Sequence, residues 1–380
     1  MIRGEGGDAV RRCKTHGVDW SSLTYPLRLA VLSQVGDDWH VDERFWSALQ
    51  QGENLPLHWR PNTLIMQDYS GFSVIQEWRA LCQAKQVEMG ALPLPVHLVV
   101  DHSHRPAFWD RPHPAWDHLE LEYSEQEERY RTLSRWAEEL SGLNIIPPGK
   151  GVIHQVFLER LARGWVGDRG RMGQPERVLG TDSHTASAGA LGIPAWGIGG
   201  TEALAVLTGR PLLLSWKRTG RLLLEGSLTD RVTAYDLALY LAGFLREHAV
   251  EGAVLEVAGP GLSTLSVPDR MVLCNMGPEY GLRQLICPPD EQTFDFLKAT
   301  GRQEQARLWR AGLDRERLMD PSAADPPLTL RVDLSRVGAV VAGPGVPHRV
   351  QPWKDLSVPS APAGRSGGIS PLPEGFLALA

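Results

Sequence analysis

The sequence predicts an α/β protein whose sheets are largely parallel. Short apolar runs typical of strands alternate with longer stretches of helical spacing, which is the pattern of parallel sheets covered by helices. Polar residues directly follow three of the predicted strands. Ligands of open α/β sheets bind at the carboxyl ends of the strands, so the same pattern predicts one shared cleft.

The predicted strands are short and mostly apolar. They cover residues 62–66, 95–100, 177–179, 253–257 and 328–334. The first runs into Gln67-Asp68, the second into Asp101-His102, and the third into Asp182-Ser183-His184. An acid, a hydroxyl and an imidazole side by side can bind a carboxylate or hydroxyl group and move a proton. Glycines between 189 and 200 would let the backbone approach a ligand or pack tightly.

The predicted helices have apolar residues at helical spacing. They cover 124–140, a segment beginning near 154, and 233–248, 268–276, 293–301 and 304–312, with further helical spacing in 20–50. Ser124 is the expected N-cap of the first of these, with Glu127 completing a capping box. Residues 357–374 are rich in Ser, Pro, Ala and Gly, which predicts a flexible tail.

The composition excludes several classes of protein. The chain has 380 residues, 42% of them hydrophobic, and a net charge of −6, so nucleic-acid binding is not indicated. The four cysteines form no Cys-x-x-Cys pair, and a disulfide framework is not expected. The N-terminus is polar and no apolar run reaches membrane-spanning length, which predicts a cytoplasmic protein. Arginine far outnumbers lysine, as in proteins of GC-rich bacteria.

Seven ordered segments resemble the aconitase superfamily, in particular its aconitase A and iron-regulatory-protein branch. They are IMQDYSG at 65–71, VDHS at 100–103, IIPPGKGVIHQV at 145–156, LGTDSHT at 179–185, WGIGGTEA at 196–203, NMGPEYG at 275–281 and AGPG at 342–345. Members of this family remove and re-add water on a hydroxy di- or tricarboxylic acid bound over a four-iron, four-sulfur cluster. The resemblance implies a small carboxylic-acid substrate and three-layer α/β/α domains.

The resemblance also implies roles for particular residues. Substrate binding is expected of Gln67, Asp182, Ser183, His184 and Asn275, and catalytic roles of Asp101, His102, His154, His184 and Glu279. Asp101 and His102 match the pair that handles the departing hydroxyl, because a carboxylate keeps a neighbouring imidazolium populated near neutral pH.

Each of these residues alone also has an ordinary structural interpretation. Asp182 and Ser183 suit a helix N-cap, and Gln67 suits the capping of a backbone group. His102 and His154 would each be a packed, hydrogen-bonded histidine, and Glu279 would be a solvated or salt-bridged acid.

The resemblance divides the chain into domains and ends near residue 355. We expect an α/β/α domain at 1–216, a second α/β domain at 217–320, the beginning of a third at 321–356 and a tail at 357–380. Family members continue with the cluster-binding cysteines, arginines that clamp the substrate, and a serine base. The expectation is therefore a shortened member without the cluster, in which Cys274 is a small buried residue. Losing several arginine contacts would remove on the order of 5–10 kcal/mol of anion binding.

Three functions remain open from the sequence. The chain could be one part of a hydro-lyase whose missing half comes from a second subunit. It could be a divergent, cluster-free lyase or isomerase, for which Asp101, His102, His104, His154 and His184 are conceivable metal ligands. It could also be a non-catalytic homologue that senses a ligand or regulates another protein.

Overall fold

Parallel β-sheets form the centre of the fold. The structure is a computed structural model that describes residues 8–35, 42–101, 107–108, 110, 112–167, 173–322, 325–343, 346 and 348–355. The strands are β1 (Leu55–Trp59), β2 (Thr63–Gln67), β3 (Ala91–Val99), β4 (Ser141–Ile146), β5 (Trp165–Val166), β6 (Gln174–Pro175), β7 (Val178–Gly180), β8 (Ala195–Gly197), β9 (Leu212–Trp216), β10 (Thr219–Glu225), β11 (Val254–Ala258), β12 (Gln284–Ile286), β13 (Thr329–Asp333), β14 (Val340–Ala342) and β15 (Val350–Pro352).

The first sheet has the strand order β4-β3-β2-β7-β8, and every neighbouring pair is parallel. Gln67 is paired with Val99 and Ile65 with Gly180, so the three central strands end at the same edge. The first four residues of β2 are all buried, as expected where helices cover both faces of a sheet. This edge is where the sequence places its polar clusters.

The second sheet has the order β12-β11-β10-β13 and is also parallel throughout. Its strands begin in register, since Thr219 pairs with Val254 and Val254 with Gln284. Three antiparallel pairs, β1 with β9, β5 with β6 and β14 with β15, complete the strands of the described residues. The predicted α/β class with largely parallel sheets is confirmed.

The α-helices lie between and around these strands. They are α1 (Asp8–Thr15), α2 (Tyr25–Val35), α3 (Glu43–Gln51), α4 (Asp68–Ala84), α5 (Pro114–Glu125), α6 (Glu127–Glu139), α7 (Ile153–Val156), α8 (Gly200–Leu207), α9 (Ala234–Arg246), α10 (Val267–Asn275), α11 (Glu291–Ala299) and α12 (Gln303–Arg315). Shorter turns of other helix types include a 3₁₀ helix at Ser183–Leu191 and a π-type turn at Phe157–Leu161. The helices predicted from 233 onward are found within a few residues of their expected bounds.

The helix predicted over 124–140 is wrong in its beginning. Two helices meet there, and Ser124 lies in the last turn of α5, where its hydroxyl donates to the Leu121 carbonyl. Gln126 separates α5 from α6, and its side chain makes no capping hydrogen bond. The local capping signal was overridden because α5 already begins at Pro114, a residue suited to the first turn of a helix.

Two hydrophobic cores surround the two sheets. The first contains the buried side chains of β2 and β3 together with Trp59, and Trp309 from α12 also packs into it. The second is built on β10, β11 and α9. The domain bounds stay a prediction, and the tail at 357–374 lies outside the described residues. Among the described helices, none is long and apolar enough to cross a membrane.

A close backbone approach joins the two cores. Gly189, in the Ser183–Leu191 helix, faces the carbonyl of Leu285 in β12 so closely that a Cβ atom there would lie 2.3 Å from the oxygen. The Cys287 amide also donates to the Gly189 carbonyl at 2.8 Å. Glycine is needed here because a side chain would push the two backbones apart. The helix that carries the central polar cluster is thereby fixed against the second sheet.

Candidate active site

The candidate site lies where β2, β3 and β7 end. Gln67 is the last residue of β2, Asp101 follows β3, and Asp182 follows β7. These strands are adjacent and parallel, so their carboxyl ends lie side by side. The structure thus brings together the three strand ends that the sequence marked.

Asp182 both caps a helix and binds an imidazole. Its Oδ1 atom accepts a hydrogen bond from the His184 amide at 2.8 Å and lies 3.0 Å from His184 Nδ1. The Asp182 side chain is 9% exposed and that of His184 is 47% exposed. The capping and functional interpretations of this turn are therefore compatible. Because Nδ1 is held by the carboxylate, Nε2 is the nitrogen from which His184 can exchange a proton.

Several carboxylates favour the protonated form of His184. The hydrogen bond to Asp182 raises the pKa of His184 above its ordinary value of 6.5, and the negative charge of Asp182 adds to this effect. The charges of Glu279 and Asp101 act in the same direction, and partial burial of the ring opposes them. A raised pKa increases the protonated fraction of His184 at any given pH, which suits a group that donates a proton.

His154 lies beside His184. The two ring centroids are 5.0 Å apart and the ring planes are inclined by 42°. His154 is the second residue of α7 and shares a small pocket with Asp182. The other residues of that pocket are Ile65, Ile153, Phe157, Thr185 and Ser187. The structure therefore places His154 at the candidate site.

Asp101 positions the start of α7. Its Oδ2 atom accepts a hydrogen bond from the Ile153 amide at 2.5 Å, so the carboxylate that follows β3 is tied to the segment carrying His154. The predicted partner of Asp101, His102, lies outside the described residues, as does His104. The Asp101–His102 pair therefore stays a prediction.

A buried ion pair between Asp68 and Arg129 supports Asp101, and the sequence did not predict it. Asp68 is fully buried, and its Oδ1 atom accepts from the Asp101 amide at 3.3 Å. Its other carboxylate oxygen lies 2.7 Å from Arg129 Nη2. The Arg129 guanidinium also lies 4.3 Å above the Tyr69 ring. Asp68 could be noticed only as an acid after a strand, and nothing in the sequence pattern pointed to Arg129.

Gln67 and Ser183 occupy different parts of this edge. The Gln67 side-chain oxygen accepts from the Tyr69 amide at 2.7 Å and caps α4, which is the ordinary role weighed for it. Ser183 is exposed and lines an open cleft next to Asp182. A short hydrogen bond of 2.6 Å from Ser70 to Thr181 joins the start of α4 to the turn before Asp182.

The second core contributes Asn275 and Glu279. Asn275 is the last residue of α10, and its side-chain oxygen is buried without a hydrogen-bond partner among the described residues. Glu279 is exposed in the turn that follows, close enough for its charge to act on His184. An unpaired buried amide oxygen is costly unless a ligand or water satisfies it. Asn275 is thus a polar group suited to a ligand.

The cysteines of this chain do not fit a thiolate-bound cluster. Cys13 lies in α1 and Cys82 in α4, whereas Cys274 and Cys287 form a buried pair with sulfur atoms 3.9 Å apart. Burial raises the pKa of Cys13 to about 12 and also raises that of Cys274, which disfavours the thiolate form that binds metals. In the described parts of the chain, no three His, Cys, Asp or Glu side chains are placed to hold a metal ion.

The fold and the site define an α/β protein with an acid–base cluster at the carboxyl edge of a parallel sheet. The sequence profile of the aconitase family (aconitate hydratase) matches residues 38–364, and the chain belongs to this family. It is 38% identical over 347 residues to phosphinomethylmalate isomerase of Streptomyces viridochromogenes, covering 86% of this chain and 39% of that protein. It is 34% identical over 360 residues to aconitate hydratase A of Deinococcus radiodurans, covering 88% and 39%.

The chain spans about two fifths of the length of these curated relatives. Among solved structures, aconitase X of Thermococcus kodakaraensis matches with a TM-score of 0.33 and 11% identity, covering 87% of this chain and 67% of that one. That similarity is too low to bear on the fold or the function.

Proposed function

We propose that this chain carries the proton-transfer groups of an aconitase-type hydro-lyase or isomerase acting on a hydroxy di- or tricarboxylic acid. The observation that carries the proposal is the 3.0 Å contact between His184 Nδ1 and Asp182 Oδ1, and the carboxylates of Asp182, Glu279 and Asp101 raise the pKa of this imidazole. The names of the relatives, an isomerase and aconitate hydratases, support the same class of reaction.

The geometry supports His184 as the acid for the departing hydroxyl. In dehydration the carbon–oxygen bond breaks with its electron pair on oxygen, and the proton from Nε2 converts the leaving group to water. The electron pair of the adjacent carbon–hydrogen bond forms the double bond, and that proton passes to a carboxylate base, for which Glu279 is the candidate. Hydration reverses these steps, and isomerisation is one followed by the other with water returning to the neighbouring carbon.

Three further predicted residues receive supporting roles in this proposal. His154, 5.0 Å from His184 by ring centroid, orders the imidazole and the substrate hydroxyl, and Asp101 fixes the turn on which His154 stands. Asn275 supplies its unsatisfied oxygen to the substrate. We propose that protein outside these residues, such as a second subunit, completes the site, because the described cysteines build no cluster site.

The experiment is a replacement of His184 with a matched histidine control. His184→Gln should lower the rate at which a 2-alkenoic polycarboxylate is hydrated, followed by ultraviolet absorption, by about 10²- to 10⁴-fold. His58→Gln, an exposed position on β1, should leave the rate unchanged. Equal rates in both variants would refute the role of His184. Ligand binding without turnover, in the presence of every co-purifying protein, would favour the non-catalytic alternative.

A further inference from the structure

The carboxyl edge of the first sheet faces the amino edge of the second across an open cleft of about 650 Å³. One wall carries Thr181, Asp182 and Ser183, which follow β7. The opposite wall is formed by residues that come just before β10, β11 and β12. Asp182, the hydrogen-bond partner of His184, therefore lies opposite the residues that precede the strands of the second sheet.

Two cations stand on this opposite wall. Lys217 precedes β10 and Arg283 precedes β12, and both line the cleft. They are held at one edge by backbone contacts, because the Arg283 amide donates to the Ala253 carbonyl at 2.8 Å. The stem of Lys217 packs over Gly252, where a Cβ atom would lie 3.2 Å from the lysine Cδ. Both side chains thus share the surface around residues 252–253.

These cations are not neutralised within the described structure. Neither Lys217 nor Arg283 forms an ion pair with any residue that the structure describes. The Nε atom of Arg283 is buried and has no hydrogen-bond partner there. An arginine N–H that is shielded from water and left unsatisfied is costly, and a bound anion would remove that cost.

The acids that line the same cleft are mostly engaged elsewhere. Asp182 binds His184, and Glu202 accepts from the Gly199 amide at 3.0 Å as part of the cap of α8. Glu251 is exposed and lines the same wall as Lys217 and Arg283. The wall opposite Asp182 therefore carries two cations, Lys217 and Arg283, and one exposed acid, Glu251.

We propose that Arg283, assisted by Lys217, forms an anion subsite that holds the carboxylate of the substrate farthest from the reacting carbon. This inference rests on the proposed function for the orientation of the substrate, but binding of the anion does not require turnover. The guanidinium makes Arg283 the main contact, since it can bind a carboxylate through two N–H groups, whereas exposed Lys217 contributes mainly charge. A subsite at Arg283 would therefore select ligands that carry at least two anionic groups.

The test compares two probes of equal length on the wild-type protein and its variants. Succinate carries two carboxylates, and succinamate has an amide in place of one of them. Isothermal titration at low salt and pH 7.5 should show tighter binding of succinate to the wild type. Arg283→Gln should lower the affinity for succinate by about ten- to hundred-fold, which is the effect of one charge-assisted contact. It should also remove the preference for succinate over succinamate. Arg283→Lys and Lys217→Gln should give intermediate losses.

Arg246→Gln is the matched control, because Arg246 is exposed at the end of α9 and does not line the cleft. It should bind both probes as the wild type does. Should Arg283→Gln fail to fold, phenylglyoxal labelling of the wild type decides the matter, because succinate should protect Arg283 and leave Arg246 reactive.

Some results would overturn the subsite. The first is that Arg283→Gln binds succinate as tightly as the wild type does. The second is that the wild type binds succinate and succinamate equally. The third is that succinate does not change the phenylglyoxal labelling of Arg283. Failure of the proposed function looks different: His184→Gln would retain turnover while the dependence of succinate binding on Arg283 persisted.

Discussion

Removing Arg129 should destabilise the protein strongly, because it breaks the ion pair with the fully buried Asp68 carboxylate. The pair has a 2.7 Å contact, and the Arg129 side chain is only 13% exposed. Breaking such a pair by removing one member costs about 3–5 kcal/mol. The lost stacking of the guanidinium over Tyr69 adds up to about 1 kcal/mol, reduced here because Tyr69 is half exposed. We expect Arg129→Met to lower the free energy of unfolding by about 3–5 kcal/mol.

Arg131 provides a control on the same helix. Its side chain is 77% exposed and pairs with Glu127 at the surface, so Arg131→Met should cost less than about 1 kcal/mol. Urea unfolding at pH 7, followed by circular dichroism and by tryptophan fluorescence, measures both variants. Faster amide hydrogen exchange at Asp101 and Ile153 should accompany Arg129→Met, since Asp68 supports this connection. Equal losses of stability in the two variants would refute the structural importance of the buried pair.

Two further predictions concern the turn after β7. Asp182→Asn should lower the pKa of His184, because it removes the hydrogen bond and the charge that raise this pKa. As the pH rises, the protonated fraction of His184, and with it the activity, should then be lost at a lower pH than in the wild type. A shift of the imidazole NMR titration to higher pH would contradict this. Gly180→Ala should destabilise the protein by about 1–3 kcal/mol in thermal or urea unfolding. The new Cβ atom would lie 2.2 Å from the Thr185 hydroxyl oxygen and 2.8 Å from a methyl group of Ile65. Unchanged stability would show that the turn can relax.

Features set by neighbouring residues could be predicted from the sequence, and features set by packing could not. The parallel strands and their polar ends follow from local apolar runs, so Gln67, Asp101 and Asp182 were placed at one edge in advance. Thr233 and Asp236 form the capping box of α9, close to the predicted start at residue 233. The same type of signal failed at Ser124, where a preceding helix had already enclosed the serine.

The ion pair of Asp68 with Arg129 and the cleft wall that carries Arg283 both depend on contacts between segments that are distant in the sequence. Asp68 and Arg129 meet only because α6 packs near the start of α4, and no local pattern specifies that approach. The resemblance to the aconitase superfamily places the arginines of the site outside this chain. Arg283 was missed because its importance comes from the orientation of the second sheet, whose strand entries face the strand ends of the first.

The contact of Gly189 with β12 has a consequence for the length of the ligands that the cleft would accept. This glycine lies in the helix that begins at Ser183, and the backbone it touches belongs to the strand that follows Arg283. The separation of the two walls is therefore set by main-chain packing instead of by flexible side chains. We therefore expect a cleft of fixed width, which would distinguish acids by the distance between their two ends more than by the groups between them.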